Sequence, residues 1–301
     1  MSANKLKVSI IGSNGYIGKN LVLYLKDKQI DINNLVKTKD FNIDDFNNKK
    51  YFSNLEKKLI GTDVLFHLAS VSNPFLSESN PSLELVNINF TFKILEICNK
   101  LDIKNIIFAS SGGVIYGDVN NIHKETDPLN PTCLYGIGKL SCEYLLKIYS
   151  LKNNINTSIL RISNVFGENQ LTKNQQGVIP YFIDNIKLNK KINLYGDSIR
   201  DYIYITDVVR AFYLALLNNR GFNIYNISTG KGTSLVDLCY LISNFLGKKF
   251  KYEQKQKRKF DIQTNILNND KAKHLLGWKP FYTLESGLEK LLLESDDEIK
   301  K

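Results

Sequence analysis

The pattern of apolar and polar positions opens on a short continuous apolar run, KVSIIG over residues 7–12. A run this short, closed by a glycine turn, predicts a strand buried on both faces. The next stretch, YIGKNLVLYLKDK, repeats its apolar residues at helical spacing and predicts a helix. Further strands are predicted at 34–38, 63–70 (DVLFHLAS), 105–111 (NIIFASS) and 157–167 (TSILRISNVFG), and further helices at 83–101 and 132–151. Strands that alternate with helices predict an α/β fold, a doubly wound parallel sheet covered on both faces. Beyond about residue 166 the alternation loosens. Helices are expected at 178–189, 206–218, 234–246 and 280–294, and short strands at 192–195 and 223–227. The organisation expected is a first domain over 1–166 and a smaller C-terminal α/β region over 167–301, with some segments returning to the first. No internal repeat is visible. The basic run KYEQKQKRK (251–259) reads as a solvated loop, and the tail ESDDEIKK is expected to fray.

Composition narrows the function classes. At 43% hydrophobic, 301 residues supply a sizeable core, which excludes an extended disordered chain. No apolar run reaches the ~18 residues of a transmembrane helix. The N-terminal apolar run ends in a glycine loop without a small-residue cleavage site, so it is read as a strand and not a signal peptide. Cys98, Cys133, Cys142 and Cys239 lie far apart with no CxxC pair, which fits a reducing, cytoplasmic setting and argues against disulfides or zinc. His67, His123 and His274 are scattered, so no metal site is expected, and His123 in a polar stretch reads as surface. The net charge is +10, with lysine supplying 35 of 40 cations. This looks like compositional bias and predicts neither nucleic-acid nor membrane binding. Arginine occurs only at 161, 200, 210, 220 and 258. Its planar fork grips phosphate at two points, as lysine cannot. Arg210 and Arg220 read as surface residues.

Two constellations carry chemistry. Gly12, Gly15 and Gly18 form a GxxGxxG loop between strand and helix, with Asn14, Tyr16 and Ile17 beside them. Glycines let a pyrophosphate approach the backbone and the helix N-terminus, so the loop predicts dinucleotide binding. The second strand ends in Lys37, Thr38, Lys39 and Asp40. The lysines suit the 2′-phosphate of NADP, while Asp40 or Asp44 suits the ribose of NAD, and the choice stays open. Tyr135 and Lys139 form YxxxK, which puts both side chains on one helix face. An ammonium beside a phenol lowers its pKa and predicts a general acid/base for alcohol–ketone interconversion. Ser110 and Ser111, at the end of the preceding strand, offer a hydroxyl for the same oxygen.

With these residues in place the chain resembles the extended short-chain dehydrogenase/reductases, in the NAD-dependent epimerase/dehydratase family. Ten strings carry the resemblance from about residue 7 to 293: GSNGYIG, FHLAS, VNINFT, SSGGVIYGD, PTCLYGIGK, LRISNVFG, GVIPYF, LYGDSIRDYIYITDV, YNISTGKGTSL and LGWKPFYTLESGL. The resemblance implies a Rossmann-type dinucleotide domain, with NAD or NADP held by the glycine loop, by Lys37 or Asp44, by Leu68, Ala69, Ser70 and Asn87, and by Tyr135 and Lys139. It implies catalysis by Ser111, Tyr135 and Lys139, with Ser110 the alternative hydroxyl. It places Ser111, Tyr135, Asn164, Val178, Arg200 and Arg258 on a nucleotide-sugar substrate, the two arginines on its diphosphate. Tyr202, Asp207 and Trp278 are expected to be structural. Cys133 is expected to pack or to lie near substrate.

The activity expected is C4 epimerisation of a UDP-sugar through a 4-keto intermediate. The alternative is an NADPH-dependent reductase of 4-keto-6-deoxy nucleotide sugars. An alternative of another class is a non-catalytic NAD(P)-binding sensor or RNA-binding relative. A 4,6-dehydratase needs an acid/base pair just after the catalytic hydroxyl, where this chain has Gly112 and Gly113. A homodimer is expected, since helices 83–101 and 135–151 pair between copies in such enzymes. Phe90 and Phe260 stand where the family usually has glycine.

Overall fold

The computed structural model describes residues 6–36, 49–118, 121–168, 170, 177–258 and 261–299. They form two compact units. The first holds Met1–Ser111, Cys133–Arg161 and Val209–Tyr225, and the second Gly112–Thr132, Ile162–Val208 and Asn226–Lys301. Segment Gly112–Thr132, inside the expected 1–166 stretch, thus groups with the second unit.

The first unit is built on a six-stranded sheet in the order Phe222–Ile227, Asn156–Ile162, Asn105–Ser111, Val64–His67, Lys7–Ile11, Asp31–Val36. Strand Lys7–Ile11 pairs in parallel with both Asp31–Val36 and Val64–His67. The chain therefore goes first to one side of Lys7–Ile11 and then to the other. In such sheets the crevice for a ligand opens at that reversal, outside the carboxyl ends of the strands. The apolar runs are buried as their pattern demands, with Val8, Ile10, Ile11, Leu65 and Phe66 fully enclosed. Helices Ser82–Lys100 and Leu134–Asn153 pack on the sheet through Ile94, Leu95, Cys98 and Leu146. Phe90, in place of the family's glycine, fills core space against Phe52 and His67. The sheet and its helices make this a Rossmann-type α/β fold.

The second unit centres on strand Ile199–Tyr204. It pairs antiparallel with Gly232–Ser234 and parallel with Thr264–Leu267 and with Asn164–Phe166. Its core gathers Phe166, Phe182, Ile186, Leu238, Ile242 and Leu288. Asp207 is fully buried, and its carboxylate accepts from the backbone N–H of Phe281 and Tyr282 while its carbonyl accepts from Trp278 Nε1. Both residues are structural, as the sequence suggested.

Several local expectations change. The strand over 63–70 stops at His67, and the small residues that follow form a loop. The strand over 157–167 breaks at Ser163, where the chain leaves one sheet to pair with Ile199–Tyr204. The tail is helical through Ile299 within Leu284–Ile299, not frayed from Glu294. His123 is buried and not a surface residue. Its ring stacks on Tyr116 at 4.8 Å, and burial holds its pKa below the ordinary value. Arg210 is half-buried, whereas Arg220 is exposed.

Candidate active site

The glycine loop has the shape a dinucleotide requires. Gly12 has φ +93°, and a Cβ there would stand 2.7 Å from the Ala69 backbone nitrogen. A Cβ on Gly18 would stand 2.1 Å from the Gly12 carbonyl oxygen, so the helix approaches the strand as only glycine allows. Gly15 caps helix Tyr16–Asp27 without a side-chain hydrogen bond. The first-turn N–H groups therefore meet no capping side chain from Gly15, and a helix N-terminus of this kind suits a pyrophosphate. Asn14, Tyr16 and Ile17 are half-buried around it. The loop Leu68–Ser70 follows directly from strand Val64–His67, beside Gly12. Asn87 pins this loop, accepting from Val71 N at 3.0 Å and donating to Ser72 Oγ at 2.7 Å. Its amide is thus engaged with protein on both ends. Lys37 and Asp44, with Lys39 and Asp40, lie outside the described residues, as does Phe260. The cradle fits a dinucleotide such as NAD or NADP.

Tyr135 and Lys139 lie on the first turns of helix Leu134–Asn153, whose N-cap is Cys133. The Cys133 sulfur accepts from Gly136 N at 3.4 Å, and burial raises the thiol pKa. Its task is capping, which a polar acceptor at this position performs. Lys139 is buried and donates from Nζ to the Ala109 carbonyl at 2.9 Å, with Nζ 5.7 Å from the Tyr135 ring centroid. One residue further along the strand, Ser110 Oγ donates to Glu143 Oε1. Tyr135, Lys139 and Glu143 occupy one helix face at i, i+4 and i+8, and the last two clasp the end of strand Asn105–Ser111. Arg161 completes the clasp with a buried ion pair to Glu143 at 2.7 Å. This arginine therefore serves the fold. Ser110 is committed to Glu143, whereas Ser111 is the half-buried residue at the strand end.

The acid/base expectation needs one correction. The Tyr135 pKa lies above the ordinary phenol value, not below it. Burial is the main cause, followed by the Glu84 carboxylate and then the Cys133 and Cys142 thiols. Burial also lowers the Lys139 pKa, against the opposing pull of Cys142, Glu84 and Glu143. His67, beneath this site, has its pKa pushed down to about 3 by burial and by Lys139, and its Nε2 meets Thr91 Oγ1 at 2.9 Å. No sequence motif assigns a role to Glu84 or Glu143. Spacing from Tyr135 could have found Glu143, but Glu84 comes from a different helix.

In the second unit Asn164, Asp201 and Arg200 are neighbours. Asn164 Nδ2 donates to the Asp201 carbonyl at 3.1 Å. The Asp201 carboxylate is fully buried and accepts from Thr229 N, Thr229 Oγ1 and Gly230 N at 2.8–2.9 Å. Burial outweighs these bonds and pushes its pKa up to about 6. Arg200 donates to the carbonyls of Ile199 and Ile262, at 3.0 and 2.6 Å. Arg258 lies with its guanidinium carbon 4.5 Å from the Tyr195 ring centroid and its Nε 3.4 Å from Asp261. Val178 opens helix Val178–Lys187 and is half-buried against the core of this unit.

The model of the NAD dependent epimerase/dehydratase family matches residues 8–228. The chain belongs to that family. A Methanocaldococcus jannaschii protein, named provisionally as a UDP-glucose 4-epimerase, is 34% identical over 95% of this chain and 97% of its own length. The dTDP-4-dehydro-6-deoxyglucose reductase of Escherichia coli is 33% identical over 97% of this chain and 98% of its own. Among solved structures, the UDP-glucose 4-epimerase of Thermotoga maritima with UDP-glucose superposes with a TM-score of 0.89 at 29% identity, covering 98% of this chain and all of that one. Family relatives of this chain thus include epimerases and reductases of nucleotide sugars, and dehydratases are among them too. No helix among the described residues is long and apolar enough to cross a membrane.

Proposed function

We propose that this family member is an NAD-dependent C4 epimerase of a UDP-sugar. The observation that carries the reading is the placement of Lys139 beside Tyr135, at the end of the strand that Ser111 closes. Lys139 binds the Ala109 carbonyl and lies beside the Tyr135 ring, Ser111 is the half-buried last residue of that strand, and the same unit carries a glycine cradle suited to a dinucleotide. The bound nicotinamide supplies a hydride acceptor and donor. Tyr135 takes the proton from the sugar 4-hydroxyl and later returns it to the 4-keto oxygen. Ser111 donates a hydrogen bond to that oxygen in both directions. Lys139 holds the nicotinamide ribose and its charge stabilises the phenolate. Asn164, Val178, Arg200 and Arg258 hold the nucleotide sugar, the arginines on its diphosphate. After Ser111 the short helix Gly112–Ile115 begins with two glycines, which offer no acid or base for elimination of water. That argues against a dehydratase.

A second reading, reduction of a 4-keto-6-deoxy nucleotide sugar by NADPH, is favoured by the 33% identity to the Escherichia coli reductase. The enzyme is proposed to act as a cytoplasmic homodimer, without nucleic acid. Denaturing the purified protein and weighing any released nucleotide separates the readings. Retained NAD, with interconversion of a UDP-sugar and its C4 epimer, supports the first. A protein purified empty that consumes NADPH against a 4-keto sugar replaces it with the second.

A further inference from the structure

Glu84 stands on the first turn of helix Ser82–Lys100, yet the residue is only 6% exposed. Ser77 Oγ donates to its Oε1 at 2.8 Å, and Asn87 Nδ2 donates to its Oε2 at 3.3 Å. The carboxylate lies on the tyrosine helix, in the space a side chain at position 138 would fill. A Cβ on Gly138 would stand 1.9 Å from Glu84 Oε2. Gly138 is three residues after Tyr135 and one before Lys139. The buried cation of this cluster, Lys139, gives its Nζ to the Ala109 carbonyl.

The charges of the cluster then matter. Glu84 is balanced by Lys139 and Glu143 by Arg161, which leaves the cluster neutral. A Tyr135 phenolate would add a net negative charge in a poorly solvated place, which is unfavourable unless a cation joins it. We propose that Glu84 is a positioning residue that makes Tyr135 a conditional base: its carboxylate on Gly138 opposes the phenolate until a cation arrives beside Tyr135. The identity of that cation, the oxidised nicotinamide ring, rests on the function proposed above. Glu84 acts together with the other groups around the phenol. On the same helix these are Cys133, Cys142, Lys139 and Glu143. Glu78 approaches the helix start, accepting from Leu134 N at 3.1 Å, and His67 faces Lys139 from its strand. The consequence is directional. With reduced cofactor Tyr135 keeps its proton, ready for a keto oxygen. With oxidised cofactor the proton is released toward catalysis.

The test is a pH titration of phenolate absorbance in the near ultraviolet, on the protein complexed with NAD, or with NADP where NAD does not bind. Subtracting the Tyr135→Phe protein isolates the Tyr135 signal. The midpoint is expected to fall by about one pH unit or more in Glu84→Gln, as removal of a neighbouring like charge requires. Glu84→Asp should return it toward the native value. If Glu84→Gln does not fold, the double variant Glu84→Ala/Gly138→Ala refills the space without charge and should show the same fall. Equal midpoints with and without the carboxylate overturn the role of Glu84 and leave the proposed reaction standing. No Tyr135 signal at all in the oxidised complex overturns both, since the base itself would then be misassigned.

Discussion

Two adjacent serines end the same strand, and their surroundings assign them different work. Ser110 donates to Glu143 inside a buried ion pair, whereas Ser111 is half-buried at the strand end. Ser111→Ala should lower turnover by roughly 10–10³-fold with an unchanged melting temperature, as loss of one transition-state hydrogen-bond donor does. Ser110→Ala should instead lower the melting temperature, because it withdraws a donor from a buried carboxylate. Steady-state rates and thermal melts on both variants check this, and the reversed pattern would make Ser110 the substrate-facing hydroxyl. Asp201 gives a pH prediction of the same grain. Its pKa is about 6 in the fold against an ordinary 3.8, so the unfolded chain gives up the proton first. As pH rises from about 4 to about 6, this group lowers stability, by roughly 3 kcal/mol at full extent. Above pH 6 the loss is complete, and below about 4 it is absent. Asp201→Thr should flatten that part of the dependence of stability on pH, measured by denaturant unfolding at a series of pH values.

At the scale of elements, the clasp between helix Leu134–Asn153 and strands Asn105–Ser111 and Asn156–Ile162 depends on one buried ion pair. Arg161→Met strands the Glu143 carboxylate in the core and should cost about 3–5 kcal/mol, while Arg161→Met with Glu143→Leu should recover much of that. Urea unfolding of the two variants decides, and a double variant no better than the single one would refute the account. The pair was not legible from the sequence, although the i+8 spacing from Tyr135 marks Glu143. Glu143 is one acidic residue on an amphipathic helix, and Arg161 lay within a string that pointed to substrate. What the sequence did reveal is local. Helical periodicity located Val178–Lys187, Leu235–Leu246 and Ile205–Leu217 to within a residue or two, because a 3.6-residue repeat is written in the chain itself. Strands Ile199–Tyr204 and Thr264–Leu267 were missed, since Arg200, Asp201 and Asn265 interrupt their apolar pattern and their partners are distant in sequence. The pairing of Tyr135 with Lys139 was legible for the same local reason, a fixed spacing on one helix. Glu84 was not, because it reaches Gly138 only through the packing of two helices.

At the scale of the whole molecule, the first unit exposes an apolar stripe that a monomer has no use for. Leu85 and Leu151 are each 67% exposed, and Ile137, Tyr144 and Ile148 about half. Residues 137, 144, 148 and 151 fall on one face of their helix, by its 3.6-residue turn. Leu85 lies on the neighbouring helix, and the two helices touch through Phe92 and Tyr149, whose ring centroids are 6.1 Å apart. A contiguous apolar face of this kind marks an interface. A two-fold axis would let the same face serve on both copies, closing the assembly at two. Sedimentation should therefore give a dimer, and Ile148→Lys with Leu151→Lys should give a monomer that still binds its cofactor. Charge adds a sharper criterion. Each copy carries +10, so two copies repel over distances that salt screens, with a Debye length of about 10 Å at 0.1 M. Burial of the stripe itself is not weakened by salt. Dimerisation should thus tighten as salt is added, whereas an interface held by opposite charges would loosen. A dissociation constant that rises with salt would show that this stripe is not the contact.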